Sequence, residues 1–359
     1  MSQTKILSLA NKATGGVTTI WETLAKQSPE IDVVFYQPGE RTCFCPQTRT
    51  LDYHPYDPLT RVYEVLRRGI QLEEYRVAIA NDEFGLSFLA SRPRRPPVAF
   101  IVHTNHDYYY QLALDYARFI DYHFCVSKQA ESYLRSRNLK EVSTIKYSVS
   151  LPLPAVQEKR NRVVFAGRFV PDKNLKETIE LFTMLKKGGM EVLFIGYGPM
   201  EQELRDSFSS EEVLVSPDKD TLYRRISESK FLCLLSYMEG LPVVYIEAMH
   251  FGLGVICNYV DRSIAEVLGQ NYVILGKAEE MLVKLLSFKF EPPPEVSRAN
   301  NRQLNEELLN SFKAVSARGT PAAARPPGTP MDRLVGCPAW LIRTVRNLRW
   351  NLRGRRHTG

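Results

Sequence analysis

The sequence predicts an α/β protein of two doubly wound, Rossmann-like halves, and three observations predict it. Short apolar runs alternate with stretches of helical periodicity from the first residues onward. A polar, proline-containing stretch at 148–161 interrupts the alternation, and the same pattern then restarts. The chain has 359 residues, more than one core usually serves, which suits two domains.

In the first half, 5–10 reads as a buried strand, followed by a turn at Thr14, Gly15 and Gly16 and a helix over 18–26. Further strands are expected at 32–36, 76–80, 98–103 and 122–127, and a helix at 129–136. In the second half, 162–167 is a strand ending in Gly167. The helix 175–187 follows, with Ile179, Leu181, Phe182 and Leu185 as its apolar residues. Strands at 191–196, 213–215, 231–235 and 255–258 alternate with helices at 200–207, 221–229 and 242–251. Two closing helices are expected at 279–287 and 298–312. The expected boundaries are an N-terminal domain over 1–150, a C-terminal domain over 151–312, and a tail over 313–359.

The tail differs from the body in charge as well as composition. Residues 313–359 hold ten Lys/Arg and one acid, Asp332, a net of +9. Against the whole chain's +7, this leaves the first 312 residues at −2. Residues 314–330 are rich in Ala, Pro, Gly, Arg and Thr without periodicity and read as a disordered linker. Over 338–353, Leu341, Val345, Leu348 and Leu352 recur at helical spacing, among Arg343, Arg346, Arg349 and Arg353. Trp340 and Trp350 flank that stripe. Such a basic amphipathic helix suits peripheral contact with an anionic membrane through 338–356. Nucleic-acid binding lacks an aromatic–basic fold to support it, and a segment that does little is the plain alternative. No uncharged apolar stretch approaches the ~18 residues of a membrane span, and no leader is visible at the N-terminus. The six cysteines (43, 45, 125, 233, 257 and 337) are scattered, which suits a reduced, cytoplasmic protein. Cys43 and Cys45 are too close for a usual zinc pair and have no second pair, so no metal site is expected.

The strongest chemical signal is Glu239-Gly240-Leu241-Pro242-Val243-Val244-Tyr245-Ile246-Glu247-Ala248-Met249. It follows an apolar strand and opens a helix at Pro242, where a missing N–H costs nothing. The free amides of a first helical turn, aided by the helix dipole, form an anion site. Gly240 leaves the backbone bare for close approach of a phosphate or sugar. Glu239, just before the helix, can accept from sugar hydroxyls. Glu247 places a charge among Tyr245, Ile246, Ala248 and Met249, where it calls for a partner. A loop glutamate plus a surface-helix glutamate is the plain alternative; the full string in its strand–loop–helix setting favours function.

The second signal is Phe165-Ala166-Gly167-Arg168-Phe169-Val170-Pro171-Asp172-Lys173-Asn174-Leu175. Two cations at a strand's carboxyl end can neutralise a diphosphate, Arg168 with two hydrogen bonds at once. That stabilises a departing diphosphate as its charge grows. Solvated loop cations are the alternative.

Together these segments resemble the Glu-x7-Glu signature and the Gly-Arg-x-x-x-x-Lys segment of the retaining GT-B glycosyltransferases of family 4. The resemblance implies two Rossmann-like domains facing across a cleft, with the nucleotide on the C-terminal domain. It implies that Glu239 binds the donor sugar's hydroxyls, Glu247 the ribose diol, and the amides of Gly240, Leu241 and Val243 the sugar and phosphate. Arg168 and Lys173 would hold the diphosphate. Gly254 stands where the family usually has a proline, a change of turn stiffness more than of chemistry. By the same resemblance, Gly16 belongs to an N-domain glycine loop that touches the donor phosphate, although Gly-Gly is also simply a turn. Gly196-Tyr197-Gly198-Pro199 resembles a glycine turn of the family's C-terminal domain. His103 ends an apolar strand where family members often place a histidine near the transferred sugar; His106 competes with it, and a satisfied strand-end histidine is the alternative. Tyr108, Tyr109 and Tyr110 either stack on a ring of the substrate or pack within the protein. Val126-Ser127-Lys128 matches the family's segment before the crossover, whereas Tyr147-Ser148-Val149-Ser150 replaces its Asn-Gly-aliphatic-Asp and carries nothing over. Asp218-Lys219-Asp220 has the metal-binding spacing of the other main glycosyltransferase fold, GT-A, but is read here as a helix cap at Asp220.

The expected function is therefore retaining, metal-independent transfer of a sugar from a UDP- or GDP-sugar to a hydroxyl of a glycan or lipid-linked glycan. Glu239, His103, Arg168 and Lys173 are the expected catalytic residues; no cofactor beyond the nucleotide-sugar co-substrate and no nucleic-acid partner is expected. The rivals are a non-catalytic nucleotide-sugar-binding protein of the same fold and a nucleotide-sugar epimerase. The expected location is cytoplasmic, with peripheral contact at the inner face of the membrane.

Overall fold

The computed structural model describes residues 5–11, 15–38, 48–54, 56–153, 158–276, 278–291 and 299–316. The chain divides into two compact units, residues 1–148 with 302–359, and residues 149–301.

The first unit contains a parallel sheet of seven strands: β1 (Lys5–Asn11), β2 (Ile31–Pro38), β3 (Thr48–Tyr53), β4 (Tyr75–Ala80), β5 (Val98–Val102), β6 (Tyr122–Cys125) and β7 (Val142–Thr144). Their order is β3-β2-β1-β4-β5-β6-β7. Helices α1 (Gly16–Gln27), α2 (Leu59–Gly69), α3 (Glu83–Ala90), α4 (Asp107–Asp115) and α5 (Lys128–Ser136) connect them. β1, β4 and β5 have buried centres that are apolar apart from Ser8, as strands covered on both faces must. The order reverses between β1 and β4, so their carboxyl ends flank the switch point at which doubly wound sheets bind ligands.

The second unit repeats the plan with six parallel strands in the order β10-β9-β8-β11-β12-β13. These are β8 (Arg160–Arg168), β9 (Glu191–Tyr197), β10 (Val213–Val215), β11 (Ser229–Leu234), β12 (Gly254–Cys257) and β13 (Tyr272–Ile274). Helices α6 (Leu175–Lys187), α7 (Glu201–Ser207), α8 (Lys219–Ser227), α9 (Val243–Phe251), α10 (Arg262–Leu268) and α11 (Ala278–Ser287) link and close it. Here the switch point lies between β8 and β11.

The last described helix, α12 (Arg302–Ser316), belongs to the first unit. The expected domain boundary at 312 and the linker expected from 314 are therefore redrawn. Phe312 is fully buried against Trp21 (ring centroids 5.9 Å apart) and Phe124 (5.1 Å). Asn305, also buried, accepts from the Ser148 N–H at 2.9 Å and donates to the Gln27 side chain at 2.7 Å. An amphipathic helix goes to the surface that fits its apolar stripe and satisfies its polar groups, and here that surface is built by α1 and β6. Val149, where the linker was expected, pairs with Ala299 in an isolated parallel bridge. The basic helix expected at 338–353 lies outside the described residues, as do Thr14, Cys43, Cys45 and Cys337.

Candidate donor site

The site of the second unit forms at the carboxyl ends of β8 and β11. β8 runs beside β9 as far as Arg168, which pairs with Tyr197. A single 3-10 turn, Pro171–Lys173, follows, and Asn174, in the left-handed conformation, leads into α6. The close pairing of β8 and β9 depends on glycine. A Cβ at Gly196 would lie 1.8 Å from the Gly167 carbonyl oxygen, and Gly198 (φ +148) passes over the Phe169 backbone. Because the obstruction at Gly196 is backbone, Gly196→Ala is expected to cost about 1–3 kcal/mol through forced displacement of the strand ends. A chemical-denaturation midpoint equal to that of the wild type would refute this.

Between β11 and α9 the loop 235–242 carries the acidic motif. The Tyr237 N–H donates to the Asp172 carbonyl at 3.2 Å, tying this loop to the turn after β8. Lys173 and Glu239 consequently meet in an ion pair, their side chains only 19 % and 14 % exposed. Asn258 donates to the carbonyls of Leu235 (3.2 Å) and Ser236 (3.0 Å). The Tyr259 hydroxyl accepts from the Glu239 N–H and donates to its carbonyl at 3.1 Å. Glu239 is thus fixed in backbone and side chain. Asn258 and Tyr259 were missed in the sequence; the available signal was a polar pair directly after an apolar strand, next to the switch point.

Pro242 proves to be the residue preceding α9, one position earlier than expected within the helix. The helix begins at Val243, so the N–H groups of Val243 and Val244 have no carbonyl within the helix to meet. Gly240, Leu241 and Val243 are buried around this open end. Glu247 lies one turn further on the same face as Val243. It is 8 % exposed, and among the described residues its carboxylate has no hydrogen-bond partner. Burial pushes its pKa up to about 7, opposed only by the charge of Lys219. Arg168 is exposed and forms no ion pair among the described residues, so its charge is available to a ligand.

Asp218, not Asp220, caps α8: its carboxylate accepts from the Thr221 N–H at 2.7 Å and from the Thr221 hydroxyl at 3.0 Å. The helix starts two residues earlier than its apolar pattern implied, because a cap is set by backbone geometry rather than by the first apolar residue.

In the first unit, Gly15 precedes α1 and Gly16 is its first residue, at the carboxyl end of β1. His103 follows β5, and its Nε2 lies 2.8 Å from Asn81 Oδ1. Burial pushes the His103 pKa down to about 3. His106 has a structural position, its Nδ1 accepting from the Tyr108 N–H at 3.0 Å as the cap of α4. Tyr108 and Tyr110 are buried, Tyr108 donating to Glu83 at 2.7 Å and Tyr110 stacking on Tyr133 (centroids 4.2 Å apart). These two pack within the unit rather than offering a stacking face.

Residues 154–301 match the family model described as Glycosyl transferases group 1. A Campylobacter jejuni protein named GalNAc-alpha-(1->4)-GalNAc-alpha-(1->3)-diNAcBac-PP-undecaprenol alpha-1,4-N-acetyl-D-galactosaminyltransferase is 24% identical over 282 residues, covering 73% of this chain and 75% of that protein. The amylovoran biosynthesis glycosyltransferase AmsD of Erwinia amylovora is 28% identical over 134 residues, 36% of this chain and 38% of that one. Among solved structures, Anabaena HepE in complex with UDP and glucose superimposes with a TM-score of 0.63 at 14% identity, over 89% of this chain and 96% of that one. Staphylococcus aureus TarM, crystallised with UDP among its ligands, gives 0.60 at 11% identity, over 89% and 97%. The fold is that of the GT-B glycosyltransferases.

Proposed function

We propose that this GT-B glycosyltransferase, whose residues 154–301 carry the glycosyl transferases group 1 match, transfers a sugar from a UDP- or GDP-sugar to a hydroxyl of a glycan or lipid-linked glycan, with retention at the anomeric carbon. The observation that carries this reading is the set at the β8–β11 switch point. It comprises a paired Lys173 and Glu239, an exposed Arg168 after β8, and, in α9, a buried Glu247 with no hydrogen-bond partner among the described residues. A nucleoside diphosphate sugar supplies what each group needs: ribose hydroxyls for Glu247, sugar hydroxyls for Glu239, and phosphate oxygens for Arg168, Lys173 and the α9 amides.

In this mechanism the bond from the anomeric carbon to the β-phosphate oxygen breaks as the acceptor oxygen bonds to the same face of that carbon. The acceptor's proton passes to the departing phosphate. Arg168 and Lys173 stabilise the charge that grows on the diphosphate, and no metal is required. Sugar hydroxyls that take Glu239 from Lys173 would free the ammonium for phosphate at the moment it is needed. The polyprenol-diphosphate glycan in the Campylobacter protein's name supports a lipid-linked acceptor, with the basic segment 338–356 meeting the membrane at its cytoplasmic face. UDP in the HepE and TarM structures supports uridine as the base.

The test is a donor screen by calorimetry with UDP-, GDP- and ADP-sugars, followed by a transfer assay on glycan and lipid-linked acceptors. One nucleotide class should bind, and Glu247→Ala should abolish that binding. Binding without transfer or hydrolysis would replace the transferase reading with that of a binding protein.

The raised pKa of Glu247 gives a second check. A carboxyl raised in the folded protein holds an extra proton between the unfolded value near 4.5 and the folded value of about 7. The stability of the ligand-free protein should therefore fall as pH rises across that interval. Ribose hydroxyls donate to the ionised form, so donor affinity should rise with pH, roughly tenfold per unit below 7, and level off above it. Glu247→Gln should flatten both profiles; a wild-type donor affinity that is flat from pH 5.5 to 8 would refute the assignment of Glu247 to the ribose.

A further inference from the structure

Asn81 follows β4 at the switch point of the first unit and is buried among four hydrogen bonds. Its Oδ1 accepts from Trp21 Nε1 at 2.8 Å and lies 2.8 Å from His103 Nε2. Its Nδ2 donates to the Leu9 carbonyl at 2.9 Å and to the Ser8 hydroxyl at 3.1 Å. Two of these partners fix which way the amide faces. An indole N–H can only donate and a backbone carbonyl can only accept, so the flipped amide would place donor against donor and acceptor against acceptor. Oδ1 therefore faces His103, and a hydrogen bond between them requires the proton on the imidazole Nε2.

We propose that Asn81 is a positioning residue that locks His103 as the Nε2–H tautomer, so that the ring meets the substrate through the Nδ1 lone pair and selects a hydroxyl donor over a phosphate oxygen. The inference rests on the proposed sugar transfer and on the family resemblance, which implies that His103 lies near the transferred sugar. It extends that reading by specifying the polarity of the contact. A neutral Nδ1 accepts from a hydroxyl and repels an anionic oxygen, so His103 discriminates between the two. Among the described residues no hydrogen bond occupies Nδ1, and its neutrality agrees with the burial of the ring. Trp21, buried on α1, is the anchor of the arrangement, because its single N–H leaves Asn81 no alternative orientation.

Histidine tautomers are read directly from long-range 1H–15N correlation spectra of the full chain labelled with 15N-histidine. There are six histidines, and His103→Gln identifies the signal by its loss. In the ligand-free wild type at neutral pH, the expected pattern is a protonated Nε2 and an unprotonated Nδ1. Asn81→Ala should lose that pattern and lower kcat/KM for transfer roughly tenfold, the cost of one hydrogen bond. Asn81→Asp keeps both acceptor contacts but brings a charge, and should convert His103 to the doubly protonated ring. A wild-type ring protonated on Nδ1 would overturn the proposal without recourse to any variant. So would an Nε2–H pattern that persists in a folded Asn81→Ala protein. The spectrum needs neither donor nor acceptor, so an Nε2–H ring in a chain that transfers no sugar supports the lock and counts against the proposed function instead.

Discussion

Lys173→Ala is expected to lower kcat for sugar transfer by about 10²–10³-fold while the protein remains folded. The reason is where charge develops. In the proposed transfer the donor would carry its diphosphate charge spread through an ester, and bond cleavage would concentrate it on the leaving oxygen, where a fixed cation acts most strongly. An interaction of that kind lowers kcat and kcat/KM together, whereas a cation that only binds the donor raises KM alone. In the ligand-free protein Lys173 is held by Glu239. Its removal therefore also takes the ammonium away from a mostly buried carboxylate, and donor binding should weaken as well. Lys173→Arg restores the charge but spreads it over a planar fork that does not fit the same pairing, so partial recovery is expected. A Lys173→Ala enzyme within threefold of wild-type kcat would mean that Arg168 and the α9 amides meet the leaving group without help.

Phe312→Ala is expected to remove about 3–5 kcal/mol from the stability of the first unit, the usual cost of emptying a fully buried aromatic site. For a unit of this size that corresponds to a fall of roughly 10 °C in the melting temperature. The residue lies 164 positions beyond Ser148 in sequence, yet it fills the space between Trp21 and Phe124. Limited proteolysis combined with thermal melts would locate the effect. Destabilisation of residues 149–301 instead, or a loss below ~1 kcal/mol, would refute the packing of α12 against α1 and β6.

The strands of the second half were almost all legible, because β8, β9 and β11 are apolar runs bounded by charges or glycine. The elements that escaped did so for physical reasons. Helix α3, Glu-Phe-Gly-Leu-Ser-Phe-Leu-Ala, is buried on every side, so it has no polar face and no period to read. Helix α4 opens on three tyrosines, which resemble a strand more than a helix, and its cap is a histidine. Strand β3 is an edge strand with alternating Thr, Arg and Asp, held by its pairing to β2 rather than by its composition. In the candidate site, Arg168, Lys173, Glu239 and Glu247 could be nominated because local sequence places them around a strand end and a helix start. Tyr259, Asn258 and Asn81 were not, since each acts on a residue about twenty or more positions away.

By itself, the sequence determined the alternation of strand and helix, the restart that makes two halves, and the chemical groups gathered at β8 and β11. Periodicity and local turn chemistry act over a few residues, and a chain carries that information without folding. Tertiary structure alone decided that α12 joins the first unit, that Lys173 takes Glu239 as its partner, and that the amide of Asn81 faces His103. An apolar stripe, an ammonium or an amide is compatible with several partners. Only the packed arrangement, in which every buried polar group must be satisfied at once, leaves a single choice.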